Sequence, residues 1–472
     1  MAPSITAGTA GGRFTRRVRN VLRRDAHRLL AAGPPSRPLL RPIGPQVPDD
    51  ARVQQVLDLC MRVGEVLLSS GESTDETTET MLRLAAACGL SAVDVDITFT
   101  SITICCHRGM AAAPVTSMRL VHYRSLDLTR LAAVAGIVER VEQGGLTLHA
   151  AVAALSEAIS APHPYPRWVA TLGWAGLAGS IALLLGAAPV TALVAFAVTA
   201  LIDRTGRVLN RWGLPAFFQQ VVGGMLATGS TLGLFAVGAF PPGTQPSLVV
   251  AATITVLLSG LSVVGTVQDA ISSYYVTAAG RAAEIALLSA GLLAGVVLGL
   301  KIGFEFGLVL EVAAPLPGGV GRFGIAVLAA AAAAAAFALA GYAPLRTLVV
   351  AGLAGAAGWG TYGAIVQIGA FGPVAATGVA AIVVGAAAGL LRRGSGVAPL
   401  VVTLAGITPL LPGFTAYRGF YQLAVEGVAD GLVTVTVALG IGLALAAGVA
   451  LGDFLTRPRR ALTNPPPEPE PQ

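Results

Sequence analysis

Ile254-Thr255-Val256-Leu257-Leu258-Ser259-Gly260 returns 153 residues later as Ile407-Thr408-Pro409-Leu410-Leu411-Pro412-Gly413, identical at five of seven positions. The same offset sets Gly291, Gly295 and Gly299 on Ala444, Gly448 and Gly452 without a gap. Two separated blocks sharing one offset mark an internal repeat. Outward from these blocks, apolar stretches fall near 168–186, 190–202, 216–239, 246–267, 282–300, 323–341, 345–361, 372–391, 397–416 and 431–453. Crossing a bilayer takes about 20 apolar residues. Five crossings separate the two copies, and five is odd, so the copies run through the bilayer in opposite senses. That is the inverted repeat of secondary transporters, with a site near the midplane open alternately to each side. The expected fold is an α-helical integral membrane protein with ten transmembrane helices. They form two five-helix inverted repeats, over 167–303 and 304–455, the second including the outer connecting loop.

Composition agrees with that body and divides the rest. Of 472 residues 54% are hydrophobic and 12% charged, half the charge of an ordinary soluble chain at about 25%. The formal +6 is unevenly spread. Residues 1–48 hold nine Arg and one acid, 49–166 eight Arg and fourteen acids, and 167–455 only nineteen charges in 289 residues. Net charge is therefore no argument for nucleic acid. The basic Pro-rich tail, 1–48, reads as disordered or as a basic amphipathic helix on an anionic membrane. It has no apolar run after its arginines, so it does not read as a signal peptide. A second tail, 456–472, is rich in Pro and Glu. Arginines set orientation. Arg204, Arg207, Arg211, Arg281, Arg346, Arg392, Arg393, Arg457, Arg459 and Arg460 fall on one side, and Lys301, Arg322 and Arg418 on the other. The first set marks the cytoplasm, with both termini there and the plasma (inner) membrane as the location.

Residues 49–166 read as a small soluble α+β cytoplasmic domain of order ααβββαα. Val53, Val56, Leu57, Met61, Val66 and Leu67 have helical spacing. Gly71 ends that helix, and Ser73 with Glu76 forms a capping box for the next. Val93, Val95, Ile97 and Phe99 alternate with polar residues as a strand. Strands over 101–108 and 116–123 and helices near 129–142 and 147–159 follow. Cys60, Cys88, Cys105 and Cys106 have no CxxC spacing, and neighbours on a strand face opposite ways. They read as inert thiols in a reducing compartment. No cofactor and no metal is implied, and Glu72, Asp75, Glu76 and Glu79 complement a helix dipole.

Charges beside apolar spans are functional candidates. Asp269 follows the fourth span beside Gln268. Arg281 and Glu284 open the fifth at i and i+3, where they pair or serve the pathway. Gln219 and Gln220 lie early in the third. Pro409, Pro412 and Gly413 interrupt the ninth span, freeing backbone that can hold a small ion or zwitterion. Tyr417 and Arg418 follow. Asp269 is the expected proton or ammonium partner. Arg418 or a half-helix amino terminus is expected to face a carboxylate.

Several of these segments resemble the threonine/serine exporter family: Gly71-Glu72-Ser73 and Gly89-Leu90, Gln268-Asp269-Ala270-Ile271 with Gly280-Arg281-Ala282-Ala283-Glu284, and Pro409-Leu410-Leu411-Pro412-Gly413 with Tyr417-Arg418-Gly419. The resemblance covers about residues 50–455. It implies a cytoplasmic N-terminal domain, ten spans and export of small hydroxy amino acids driven by protons. Ser272-Ser273-Tyr274 stands where that pattern has a Gly-Asp pair. The expected activity is secondary export of threonine or serine by proton antiport and alternating access. Its expected partners are a small amino acid, protons and the lipid bilayer, and a homo-oligomer is open. The alternatives are a membrane-anchored enzyme with a hydrolytic N-terminal domain and an exporter of another small metabolite.

Overall fold

A computed structural model describes residues 49–108, 112–121, 126–258, 260–308, 320–369, 371–391, 399–423 and 429–456. The tail expected over 1–48 lies outside the described residues, as do all but the first residue of 456–472 and Arg392, Arg393, Arg457, Arg459 and Arg460.

The first elements are α1 (Asp50–Ser69), α2 (Thr74–Ala87), β1 (Val93–Thr98), β2 (Ser101–Cys106), β3 (Val115–Leu120), α3 (Leu128–Glu142) and α4 (Leu148–Ser160). Val53, Val56, Leu57, Cys60 and Val63 line one stripe of α1 and are fully buried or nearly so. Gly71 and Gly89 adopt φ of +94° and +92°, where a side chain is strained. Ser73 Oγ accepts from the Glu76 N–H at 3.4 Å, capping α2. The strands form an antiparallel sheet of order β1-β2-β3, with Ile97 opposite Ile102. Ile97, Ile102, Ile104 and Cys106 bury one face. The strand expected to include Phe99 stops short of it. Phe99 turns the hairpin at φ +48°, and its ring leaves the core for Gly280.

The apolar body follows as α5 (Arg167–Leu184), α6 (Pro189–Arg211), α7 (Ala216–Ala236), α8 (Ser247–Leu257), α9 (Gly260–Ile271), α10 (Tyr275–Glu305), α11 (Val320–Ala340), α12 (Leu345–Ile368), α13 (Pro373–Leu391), α14 (Pro399–Ile407), α15 (Gly413–Tyr421) and α16 (Ala429–Thr456). Among the described residues six of these helices are long and apolar enough to cross a membrane. The number is eight if each bent pair is one span. Helices α6 and α7 fall short by composition. The last turns of α6 carry Asp203, Arg204, Arg207 and Arg211. The helix outruns its expected end at 202 because Arg207 pairs with Asp203 one turn back.

Two further expectations are corrected. The fourth span is not one helix over 246–267. It breaks after Leu257 and resumes as α9, bent by 46°. The fifth starts at Tyr275 rather than 282 and runs 31 residues, about 46 Å at 1.5 Å each. That exceeds a hydrocarbon core of about 30 Å. The extra turns carry Thr277, Gly280 and Arg281 down to the N-terminal domain. Before them Ser273 sits at φ +70°, the conformation that favours the glycine absent from Ser272-Ser273-Tyr274.

The same helix pairs recur in each half: α5 with α6 and α7 with α10, then α11 with α12 and α13 with α16. Small residues let these helices touch backbone to backbone. A Cβ on Gly295 would meet Val221 and the Met225 nitrogen, and one on Gly448 would meet Gly378 and the Ile382 nitrogen. Across the halves α5 packs on α11.

Candidate functional site

Both broken spans break at equivalent places. Leu258, after α8, is extended at φ −67° and ψ 128°. Leu411, after the 3-10 turn Thr408–Leu410 that extends α14, is extended at φ −60° and ψ 138°. These residues are 153 apart, the repeat offset. Pro412 then caps α15, so its missing N–H costs nothing at a helix start. The breaks meet: a Cβ on Gly413 would lie 3.1 Å from the Thr255 Cα, so only glycine admits the crossing. Gln220 donates to the Leu257 carbonyl at 3.4 Å, covering an acceptor that the first break leaves without a helical donor.

A cavity of about 410 Å³ lies between the breaks and the N-terminal domain. Thr255, Leu257, Leu258, Thr408 and Leu411 line it from the breaks, and Ser262 and Gly265 from α9. Trp174, Leu177, Ile181, Leu288 and Phe337 make an apolar side. Arg281 and Glu284, one turn apart on α10, supply both signs of charge. Leu68, Ser69, Ser70, Gly71 and Leu126 close it from the N-terminal domain.

Arg281 reaches well beyond the neighbour its spacing offers in Glu284. Its Nη1 lies 2.7 Å from Asp269 Oδ2, and its Nη2 donates to the Glu72 carbonyl at 3.4 Å. Asp269 is fully buried and accepts the Thr74 N–H, at the start of α2, at 2.8 Å. Asp269 therefore stands behind the cavity, holding Arg281. Gln268 is half-buried beside it. Gln219 donates to the Leu214 carbonyl at 2.7 Å. Pro409 packs near Gly355. Tyr417 is buried among Val250, Ile254, Leu292 and Val296. Arg418 is exposed on the other side of α15, outside the cavity lining.

Of the expected site residues the structure thus brings Arg281 and Glu284 to the cavity, with Asp269 and Gln220 just behind. Sequence reading missed Trp174, Ser262, Phe337 and the α1–α2 turn. Thr255 and Thr408 stood in the quoted repeat, and that was the available signal. Trp174 and Phe337 carry none. A guanidinium and a carboxylate on one face, with hydroxyls nearby, suit a small zwitterion bearing a polar side chain. The apolar side of the cavity strengthens both contacts.

The domain's most chemical cluster is elsewhere. His107 Nε2 lies 3.1 Å from Asp94 Oδ2 and 3.9 Å from Cys105 Sγ, on the open sheet face. Both contacts use one ring nitrogen. A relay needs two, one for the nucleophile and one for the carboxylate. Burial pushes the Cys60 thiol far up and the Cys106 thiol up. Among the described residues no group of three or more His, Cys, Asp or Glu is placed to hold a metal.

A family profile described as a putative threonine/serine exporter matches residues 58–303, and one described as a threonine/serine exporter matches 326–455. A probable threonine/serine exporter of Mycobacterium tuberculosis is 40% identical over 422 residues, 87% of this chain and 78% of that protein. A threonine/serine exporter of Corynebacterium glutamicum is 36% identical over 432 residues, 90% of this chain and 87% of that one. No solved structure matches.

Proposed function

The chain belongs to the threonine/serine exporter family, and on that premise we propose that it exports threonine or serine by proton antiport from the cavity between the two breaks. It is a multi-pass membrane transporter, not an enzyme. Glu284 receives the substrate ammonium and Arg281 its carboxylate, while Thr255, Thr408 and Ser262 face the side-chain hydroxyl. One carboxylate cannot hold an ammonium and a proton together. Exclusive occupancy of Glu284 therefore converts an inward proton gradient into outward substrate flux. A proton from outside displaces the ammonium, and the cytoplasmic substrate displaces the proton.

Ten spans arise when α6 and α7 join the eight. The matched breaks and the shared glycine contacts support two inverted repeats. Arg204, Arg207, Arg211 and Arg346 on the domain's side support a cytoplasmic domain and a plasma-membrane location. The cavity then lies on the cytoplasmic side of the crossing of the breaks, with the N-terminal domain over it.

The observation that carries the reading is the pair Arg281 and Glu284 in a cavity reached by both breaks. The test uses everted membrane vesicles and labelled threonine. An imposed proton gradient is expected to drive uptake, and Glu284→Gln to abolish the gradient's effect. Uptake indifferent to the gradient sinks the antiport, and uptake unchanged in Glu284→Gln sinks the site. Counterflow with a panel of labelled amino acids separates threonine and serine from other small metabolites.

A further inference from the structure

We propose that the N-terminal domain is the movable cytoplasmic wall of the transport cavity, and that Asp269 is the positioning residue that holds both this wall and Arg281 in place. The proposal rests on the cavity being the transport site.

The wall is the turn between α1 and α2. Leu68, Ser69, Ser70 and Gly71 line the cavity, on the side from which a cytoplasmic substrate would arrive. With the turn seated, that approach is covered by protein. A substrate then enters only if the turn withdraws, or by a route on another side.

The seam has the character of a latch. Asp269 accepts the Thr74 N–H at 2.8 Å, placing a carboxylate on the positive end of the α2 dipole. Arg281, held by the same carboxylate, reaches the Glu72 carbonyl. Thr277 Oγ1 accepts from the Phe99 N–H at 3.0 Å and donates to the Ile97 carbonyl at 3.2 Å. The Phe99 ring lies against Gly280, where a Cβ would stand 3.0 Å from it. On the far side Leu128 N–H donates to the Gly341 carbonyl at 2.8 Å, and His163 stacks on Tyr342 at 4.3 Å. Among the described residues no helix of the domain packs lengthwise on a helix of the apolar body. Apolar contact is added where Leu128 stands against Gly341, and relative motion is the ordinary behaviour of domains joined through such mixed, limited interfaces.

Asp269 joins three parts: it lies on α9, the second piece of a broken span, binds α10 through Arg281, and binds the wall through Thr74. A change in the tilt of α9 therefore loosens the wall and frees the guanidinium in one step. Filling Arg281 with a substrate carboxylate competes with Asp269, so substrate arrival itself weakens the latch.

Two experiments test this, in a background with Cys88→Ser and Cys105→Ser. In the first, Phe99→Cys with Gly280→Cys tethers the wall: the Phe99 Cγ lies 3.0 Å from where a Gly280 Cβ would stand, which puts the two Cβ atoms within about 4.5 Å, the reach of a disulfide. Threonine uptake by everted vesicles is expected to fall on oxidation and return on reduction. Equal uptake in both states overturns the wall, whereas wild-type vesicles that take up no threonine overturn the transport site itself. The second needs no transport. Ser262→Cys reports access to the cavity through its rate of modification by a membrane-impermeant maleimide. The rate is expected to rise about tenfold in Asp269→Asn, the scale of one lost hydrogen bond to a charged group, with Asp269→Glu restoring part of the protection. Equal modification rates with and without the Asp269→Asn substitution would overturn the latch.

Discussion

Gly448→Ala adds one methyl group where α16 crosses α13. Its Cβ would stand 2.5 Å from the Gly378 carbonyl oxygen and 2.7 Å from the Ala381 Cβ. Ordinary contact begins near 3.4 Å, so α13 must retreat by about 0.9 Å. Neither neighbour can swing aside, since one is backbone and the other is the stub of an alanine. This is the most extensive helix contact among the described residues, and overpacking of this kind costs about 1–3 kcal/mol. Gly295→Ala tests the equivalent crossing in the first half, where the new Cβ would meet the Val221 carbonyl carbon at 2.8 Å. Gly229→Ala is the control. It is exposed, with nothing within 4 Å, and replacing a helical glycine there adds about 0.5–1 kcal/mol. Thermal unfolding in mild detergent, followed by size-exclusion, is expected to order the midpoints Gly229→Ala, wild type, then Gly295→Ala and Gly448→Ala together. A midpoint for Gly448→Ala at or above that of Gly229→Ala would refute the close approach and the equivalence built on it.

Asp269→Ala removes the carboxylate that the buried Arg281 pairs with and should cost about 3–5 kcal/mol, whereas Asp269→Leu with Arg281→Met should recover most of that stability; the detergent melt reads both stabilities, and threonine uptake should stay lost in both. Ser273→Gly relieves a left-handed residue and should raise the stability by about 1 kcal/mol, read as a higher midpoint. Native protein at pH 8 should be alkylated at the half-exposed Cys105 and spared at Cys60; burial raises the Cys60 pKa, so raising the pH to 8 yields no thiolate there, and peptide mapping reads the pattern. Gln220→Leu strands the Leu257 carbonyl and should cost about 1–3 kcal/mol, read by the same melt.

The helices were legible because burial in lipid or protein demands long apolar runs, and the glycine offset aligned the halves. The second break was legible because Pro409 and Pro412 announce it. The first was not: Leu258-Ser259-Gly260 contains no proline, and only its alignment on Leu411-Pro412-Gly413 hints that it breaks. Arg281 and Glu284 stood out as charges in an apolar setting. The distant partners of Arg281 did not, because i, i+3 spacing suggests a local pair while the fold adds Asp269 and the Glu72 carbonyl from elsewhere in the chain. Asp269 stood out for the same reason, but its contacts with Thr74 and Arg281 did not, since a sequence gives the charge but not what covers it. Arg418 stood out by its charge, but its exposure on α15, outside the cavity lining, was not legible.

The seam between domain and membrane body joins residues made at very different times. Thr74 meets Asp269 across 195 positions, and Thr129 meets Tyr342 across 213. At about 5–20 residues per second, the N-terminal domain leaves the ribosome roughly 10–40 seconds before its docking partners exist. It must hold its own core through that interval, and Val53, Leu57, Met81, Ile102 and Ile104, all at most 1% exposed, give it one. Docking therefore waits until α9, α10 and α11 have been made. Until then the cavity lacks the lining that Leu68, Ser69, Ser70 and Gly71 supply.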